Sequence, residues 1–142
     1  MMSYNVPAVA KWVSDQIGCP MTQGMSVIGY VTEDRIVAGV IYNYYTGKAV
    51  DAAIAVARGA WLPKQFWHQI FDYPFNQLGV DKIVIYVNSS NKPSLKLATK
   101  LGFTFVSVIP DIYEDGDLVI GTLVKEECTW LRSSHGTEVE AA

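Results

Sequence analysis

The hydrophobic rhythm of the chain changes several times, and each change marks an element. Between Val6 and Ile17 the apolar residues Val9, Trp12, Val13 and Ile17 fall at helical spacing, and Gly18 follows where a helix can end. After a loop through Gly24 the spacing shortens. Ser26–Thr32 and Arg35–Tyr45 are dense in Val, Ile and Tyr and are separated only by Glu33-Asp34, which predicts an antiparallel hairpin. Beyond the turn Thr46-Gly47-Lys48, a third strand from Ala49 to Ala57 has two unequal faces. Alternation puts Asp51, Ala53, Ala55 and Ala57 on one side and Ala52, Ile54 and Val56 on the other. The first face offers one carboxylate and a row of methyl groups, so either a ligand or a packed helix can approach the sheet closely there.

The second half alternates helices with strands. Arg58-Gly59-Ala60-Trp61-Leu62-Pro63 connects to a helix with Pro63 in its first turn and an apolar stripe of Phe66, Trp67, Ile70 and Phe71. Pro74 is expected to kink or restart this helix, which ends near Leu78-Gly79. Lys82–Val87 is apolar on both faces, as a covered central strand requires. Asn91–Leu101 reads as a short helix closed by Gly102, Phe103–Ile109 as a strand, Asp111–Asp117 as an acidic loop and Leu118–Lys125 as a last strand. A short helical end is expected near Trp130-Leu131. The pattern predicts an α/β (α+β) fold, a single mixed central sheet flanked by helices, in a domain over residues 1–132 with a flexible tail at 133–142.

Composition narrows the possibilities. With 142 residues, 50% apolar and 18% charged, the chain suits one domain able to bury a core without disulfides or metal. The longest apolar run, Ala52 to Ala57, is far too short to span a membrane, and the first residues lack the basic-then-apolar order of a secretory signal. A soluble, cytoplasmic protein is expected. Cys19 and Cys128 lie far apart, and His68 and His135 are the only histidines, so no metal site is predicted. A net charge of −3 disfavours general nucleic-acid binding. Within that average, the basic residues Arg58 and Lys64 flank the connector. Lys92, Lys96 and Lys100 form one helical stripe, read either as a solvated face or as an attraction for phosphates.

The run Asn91-Lys92-Pro93-Ser94, ending in Leu101-Gly102-Phe103, follows a strand and resembles the late signature of the GNAT superfamily of acyl-CoA-dependent N-acyltransferases. The hairpin Ile36-Val37-Ala38-Gly39-Val40-Ile41 and the element order are similar as well. The Asn-x-x-Ser form looks most like the branch that acetylates ribosomal-protein N-termini, and Trp61 to Gly79 looks like small members carried by phages and prophages. The resemblance implies acetyl-CoA as cosubstrate and a primary amine as acceptor, either a small molecule or a protein. It assigns Asp51 as general base and Ser94 as the acid for the departing thiolate. The loop residues Val56, Arg58, Gly59, Ala60, Trp61, Leu62 and Lys64 would hold the pyrophosphate, with Asn88 and Asn91 along the pantetheine arm. The sheet would splay between the third strand and Lys82–Val87.

One departure stands out. Trp61 and Pro63 occupy the two positions where the family's phosphate loop has small residues, which adds bulk and removes one backbone donor. Two alternatives therefore stay open: a catalytically silent relative that binds a host factor, and a nucleobase-modifying enzyme suggested by the lysine stripe. Read from its residues alone, Asp51 is either a base whose pKa burial would raise or a strand-end cap. Ser94 is either the acid or an ordinary first-turn serine, and Asn91 is a good helix N-cap. Tyr42 and Tyr44 are candidates for the acceptor pocket, and exposed aromatics make a homodimer plausible.

Overall fold

The computed structural model describes residues 1–18 and 25–131; Cys19, His135 and the expected tail lie outside the described residues. Its elements are β1 (Met2–Ser3), α1 (Val6–Ile17), β2 (Ser26–Thr32), β3 (Arg35–Asn43), β4 (Ala49–Val56), α2 (Lys64–Asp72), β5 (Lys82–Asn88), α3 (Lys92–Leu101), β6 (Thr104–Tyr113) and β7 (Gly116–Val124). The strands form one sheet in the order β1-β2-β3-β4-β5-β7-β6. Every pairing is antiparallel except β4 with β5.

The expected hairpin forms around Glu33 and Asp34, which have φ of 51° and 62°. Positive φ at both central residues suits a two-residue turn whose twist matches the strands, although neither residue is the usual Gly or Asn. β3 stops at Asn43, earlier than its composition suggests, because Tyr44 has a φ of 54° and leaves the extended region.

α1 covers one face of the sheet and lies unusually close to it. A Cβ on Gly29 would sit 2.7 Å from a Val9 methyl, and one on Gly39 would sit 2.7 Å from a Val13 methyl. These two glycines let the helix settle into contact with β2 and β3, and Val9, Ala10 and Val13 are fully buried there. Ala53 and Ala55 join the same cluster, so the methyl face of β4 is covered by a helix toward its far end.

The opposite face carries the larger core, built on Phe66, Trp67, Ile70 and Phe71 of α2 with Tyr42, Phe103 and Trp130. Trp130 donates its indole N–H to the Leu101 carbonyl at 3.0 Å, fastening the end of the described chain to α3. Each such side chain contributes on the order of 2 kcal/mol through the apolar surface it buries. The stripe read from the sequence is therefore the inward face of α2.

Three expectations need correction. β1 is an additional, two-residue strand paired with β2, too short to show any periodicity. Pro74 does not kink or restart the helix: α2 widens into a π-helical segment over Tyr73–Gln77, where the Leu78 N–H reaches the Tyr73 carbonyl at 2.9 Å. The widened turn accommodates a residue that has no N–H to donate. The acidic stretch Asp111–Asp117 is mostly strand, because β6 and β7 meet in a tight hairpin around Glu114 and Asp115.

Candidate active site

The parallel pairing of β4 with β5 is brief. It joins Ala49, Val50 and Asp51 to Lys82, Ile83 and Val84 and goes no further, although β4 continues to Val56 and β5 to Asn88. Beyond Asp51 the two strands part, and the sheet splays between β4 and β5, as the resemblance implied. A cavity of about 520 Å³ occupies this gap and gathers residues from α1, β3, β4, β5, α3 and the β6–β7 hairpin. Asp51 is thus the last paired residue before the opening.

The environment of Asp51 has a chemical consequence. Its neighbours along β4 are mostly apolar, and half-burial among them raises its carboxyl from the usual 3.8 to about 6. A carboxylate so placed can exchange a proton near neutral pH. Tyr86 lies two residues past Val84 and so projects on the same side of β5. Burial, with the charges of Asp51 and Tyr44 nearby, raises the Tyr86 phenol. Tyr44 and Tyr113 also line the cavity.

The other wall comes from α3. The Asn91 side chain accepts the Ser94 N–H at 3.2 Å and caps the helix, and both residues face the gap. The loop before α3 is tied to the β6–β7 hairpin. Asn88 Nδ2 donates to Asp115 Oδ1 at 2.8 Å, Ser90 Oγ donates to Asp115 Oδ2 at 2.9 Å, and the Asp117 N–H donates to Ser89 Oγ at 2.8 Å. These bonds hold the hairpin beside the cavity, and those from Asn88 and Ser90 hold Asp115 below the usual carboxylate range.

Asp51, Ser94, Asn88 and Asn91 therefore meet around one cavity. Arg58, Gly59 and Ala60 instead line a separate cleft of about 920 Å³ between α1 and the β2–β3 hairpin. Val56, Trp61, Leu62 and Lys64 line neither space, and Leu62 is a core residue. Gly59 takes a φ of 75° in this loop. Pro63 is the residue that caps α2, and its side chain makes no cap bond. Trp61 is 75% exposed, so its bulk projects into solvent and not into the core. Lys92, Lys96 and Lys100 are exposed and lie outside both spaces.

Of the two tyrosine candidates, Tyr44 lines the cavity and Tyr42 does not. Tyr42 is 2% exposed, and its hydroxyl donates to the Ile70 carbonyl at 2.5 Å from within the α2 core. Alternation alone would put both on the same face; they part because β3 ends at Asn43 and Tyr44, with φ at 54°, leaves the strand, while Tyr42 stays on the α2 face of β3. Sequence reasoning missed Tyr86 and Tyr113. Counting alternate residues of β5 from its pairing with β4 would have found Tyr86, whereas Tyr113 was hidden in a stretch that looked like an acidic loop.

No family model and no curated protein matches the chain. Among solved structures, the N-acetyltransferase PseH of Campylobacter jejuni, in complex with acetyl coenzyme A, aligns with a TM-score of 0.55 and 21% identity over 73% of this chain and 70% of that one. Mutant forms of the spermidine/spermine N-acetyltransferase SpeG of Vibrio cholerae align with a TM-score of 0.70 and 12% identity over 94% of this chain and 98% of that one. A structure of the Vibrio cholerae spermidine N-acetyltransferase in complex with CoA and spermine aligns with a TM-score of 0.62 and 15% identity over 74% of this chain and 68% of that one. The element order, the split between β4 and β5 and these likenesses agree that the chain has the fold of the GNAT N-acetyltransferases.

Proposed function

We propose that this chain transfers an acetyl group from acetyl-CoA to a primary amine by direct attack, without a covalent enzyme intermediate. The observation that carries the reading is the end of β4–β5 pairing at Asp51, which leaves a slot into the sheet with a titratable carboxylate at its base. PseH and SpeG, whose folds are similar, are N-acetyltransferases, and the PseH structure holds acetyl coenzyme A.

The residues present fit such a substrate. The unpaired edges of β4 and β5 would flank the pantetheine arm, with Asn91 on the α3 side. The phosphates would meet the loop at Arg58–Ala60 and the start of α2, where no side chain caps the helix and the first-turn N–H groups attract anions. Acetyl-CoA supplies a thioester. The amine nitrogen bonds to its carbonyl carbon, the C–S bond breaks, and the proton lost by nitrogen balances the proton gained by the leaving thiolate. Asp51 takes the first proton and the Ser94 hydroxyl supplies the second; Ser94 is then reprotonated from solvent.

A second reading, a catalytically silent relative, draws on Trp61 and Pro63 in the phosphate loop. Calorimetric titration with acetyl-CoA separates the two. Saturable binding is expected, and an Asp51→Asn variant should bind acetyl-CoA like the parent while losing turnover. Absence of binding at millimolar ligand would sink the acetyltransferase reading.

A further inference from the structure

We infer that the acceptor is a compact monoamine with an apolar body, and not a polyamine or a peptide N-terminus. The inference rests on the acetyl-transfer reading and names the acceptor class for the same cavity. Among the described residues that line it, Asp51 is the only charged one. One carboxylate can neutralise one ammonium group. A polyamine would bring further cations into a space without partners for them, and an acceptor carrying a carboxylate or phosphate would find no Lys or Arg.

The aromatic rings around Asp51 suit a single cation. Tyr86 is close enough to feel the charges of both Asp51 and Tyr44, and it is 50% exposed. Phenol rings that line the same cavity as a carboxylate can add attraction for a desolvated ammonium and tolerate an apolar group attached to it. Tyr44 is held with φ at 54°, an uncommon backbone for a bulky residue, and its N–H donates to Asn43 Oδ1 at 3.2 Å. Strained residues of this kind concentrate at ligand-contacting positions. Ile17, Ile41 and Ala53 supply apolar surface for the rest of the molecule. The cavity of about 520 Å³ must take the acyl arm as well as the reacting end of the acceptor, which favours a small acceptor.

The test uses direct binding, so it does not depend on turnover. Phenethylamine, spermine and a short peptide with a free N-terminus are each titrated into the intact protein, with and without CoA. Phenethylamine should bind at least tenfold more tightly than spermine or the peptide, and Asp51→Asn and Tyr86→Ala should each weaken it severalfold. Equal or tighter binding of spermine or the peptide overturns the inference. So does failure of phenethylamine to bind, or affinity unchanged in both variants. A separate acetyl-CoA titration reports on the transfer reading: loss of that binding, with amine selectivity as stated, removes the reaction and leaves the amine site standing.

Discussion

Asn88 and Asp115, 27 residues apart in sequence, are joined by a 2.8 Å hydrogen bond that ties the end of β5 to the tip of the β6–β7 hairpin. Ser90 occupies the second oxygen of the same carboxylate. Gly116 packs so closely beneath this contact that a Cβ there would collide with Asn88 Oδ1. Asp115→Ala should therefore release the hairpin tip while leaving the core intact. The expected signature is faster amide hydrogen exchange at Ser90 and Asp117 with an unchanged urea midpoint. Exchange equal to the parent's would mean that the bond does not hold the hairpin. Because Asp115 titrates below its usual 3.8, this restraint is complete above that value and fades as the pH falls through the lowered pKa.

Asp51 should set a pH limb in catalysis. Asn43 pairs with Asp51 across β3 and β4, Tyr86 lies near enough to feel its charge, and no Lys, Arg or His lines the cavity among the described residues. With its pKa raised to about 6, the base becomes available as pH rises, so kcat/KM should climb through about pH 6. A profile measured from pH 5 to 8 that stays flat would remove Asp51 from the proton path.

The same residue carries a stability cost of opposite sense. A carboxyl whose folded pKa is raised favours the fold most when protonated, and that advantage is lost as pH rises from 3.8 through about 6. A shift of this size corresponds to about 3 kcal/mol at face value. Half of the group remains hydrated, so Asp51→Asn should stabilise the protein by about 1–2 kcal/mol at pH 7. The gain should vanish near pH 4. Urea midpoints at the two pH values test it, and an Asn variant less stable at pH 7 would contradict the burial argument.

Gly39→Ala should force α1 off the sheet, since its Cβ would meet a Val13 methyl at 2.7 Å and a Val9 methyl at 3.0 Å. Overpacking of this kind costs about 1–3 kcal/mol. Val13→Ala in the same chain should recover part of the loss. If the double variant is as unstable as the sum of the two single ones, the contact is not the cause.

The parts of the fold that repeat were legible, and the parts that depend on distant partners were not. α1 and the apolar stripe of α2 follow from helical spacing, and the two faces of β4 follow from strict alternation, which isolates Asp51 among alanines. β1 has two residues and no period to detect. The β6–β7 hairpin was hidden because Asp111, Asp115 and Asp117 make a strand junction look like a polar loop, while the bonds that Asp115 and Asp117 make to Asn88, Ser90 and Ser89 run across the fold. Pro74 misleads because the wider π turn absorbs a residue that an α-helix of normal pitch does not.

The early end of β4–β5 pairing also changes how many borders the sheet has. A seven-stranded sheet ordinarily has two, but the parting of residues 52–56 from 85–88 creates another two inside the molecule. An outer strand with unpaired backbone groups invites other chains to join it. The inner pair borders the cavity of about 520 Å³ lined by residues of α1 and α3, and lies inside the fold instead of at its rim. The chain thereby keeps backbone hydrogen-bonding capacity in reserve for a ligand without exposing it to aggregation.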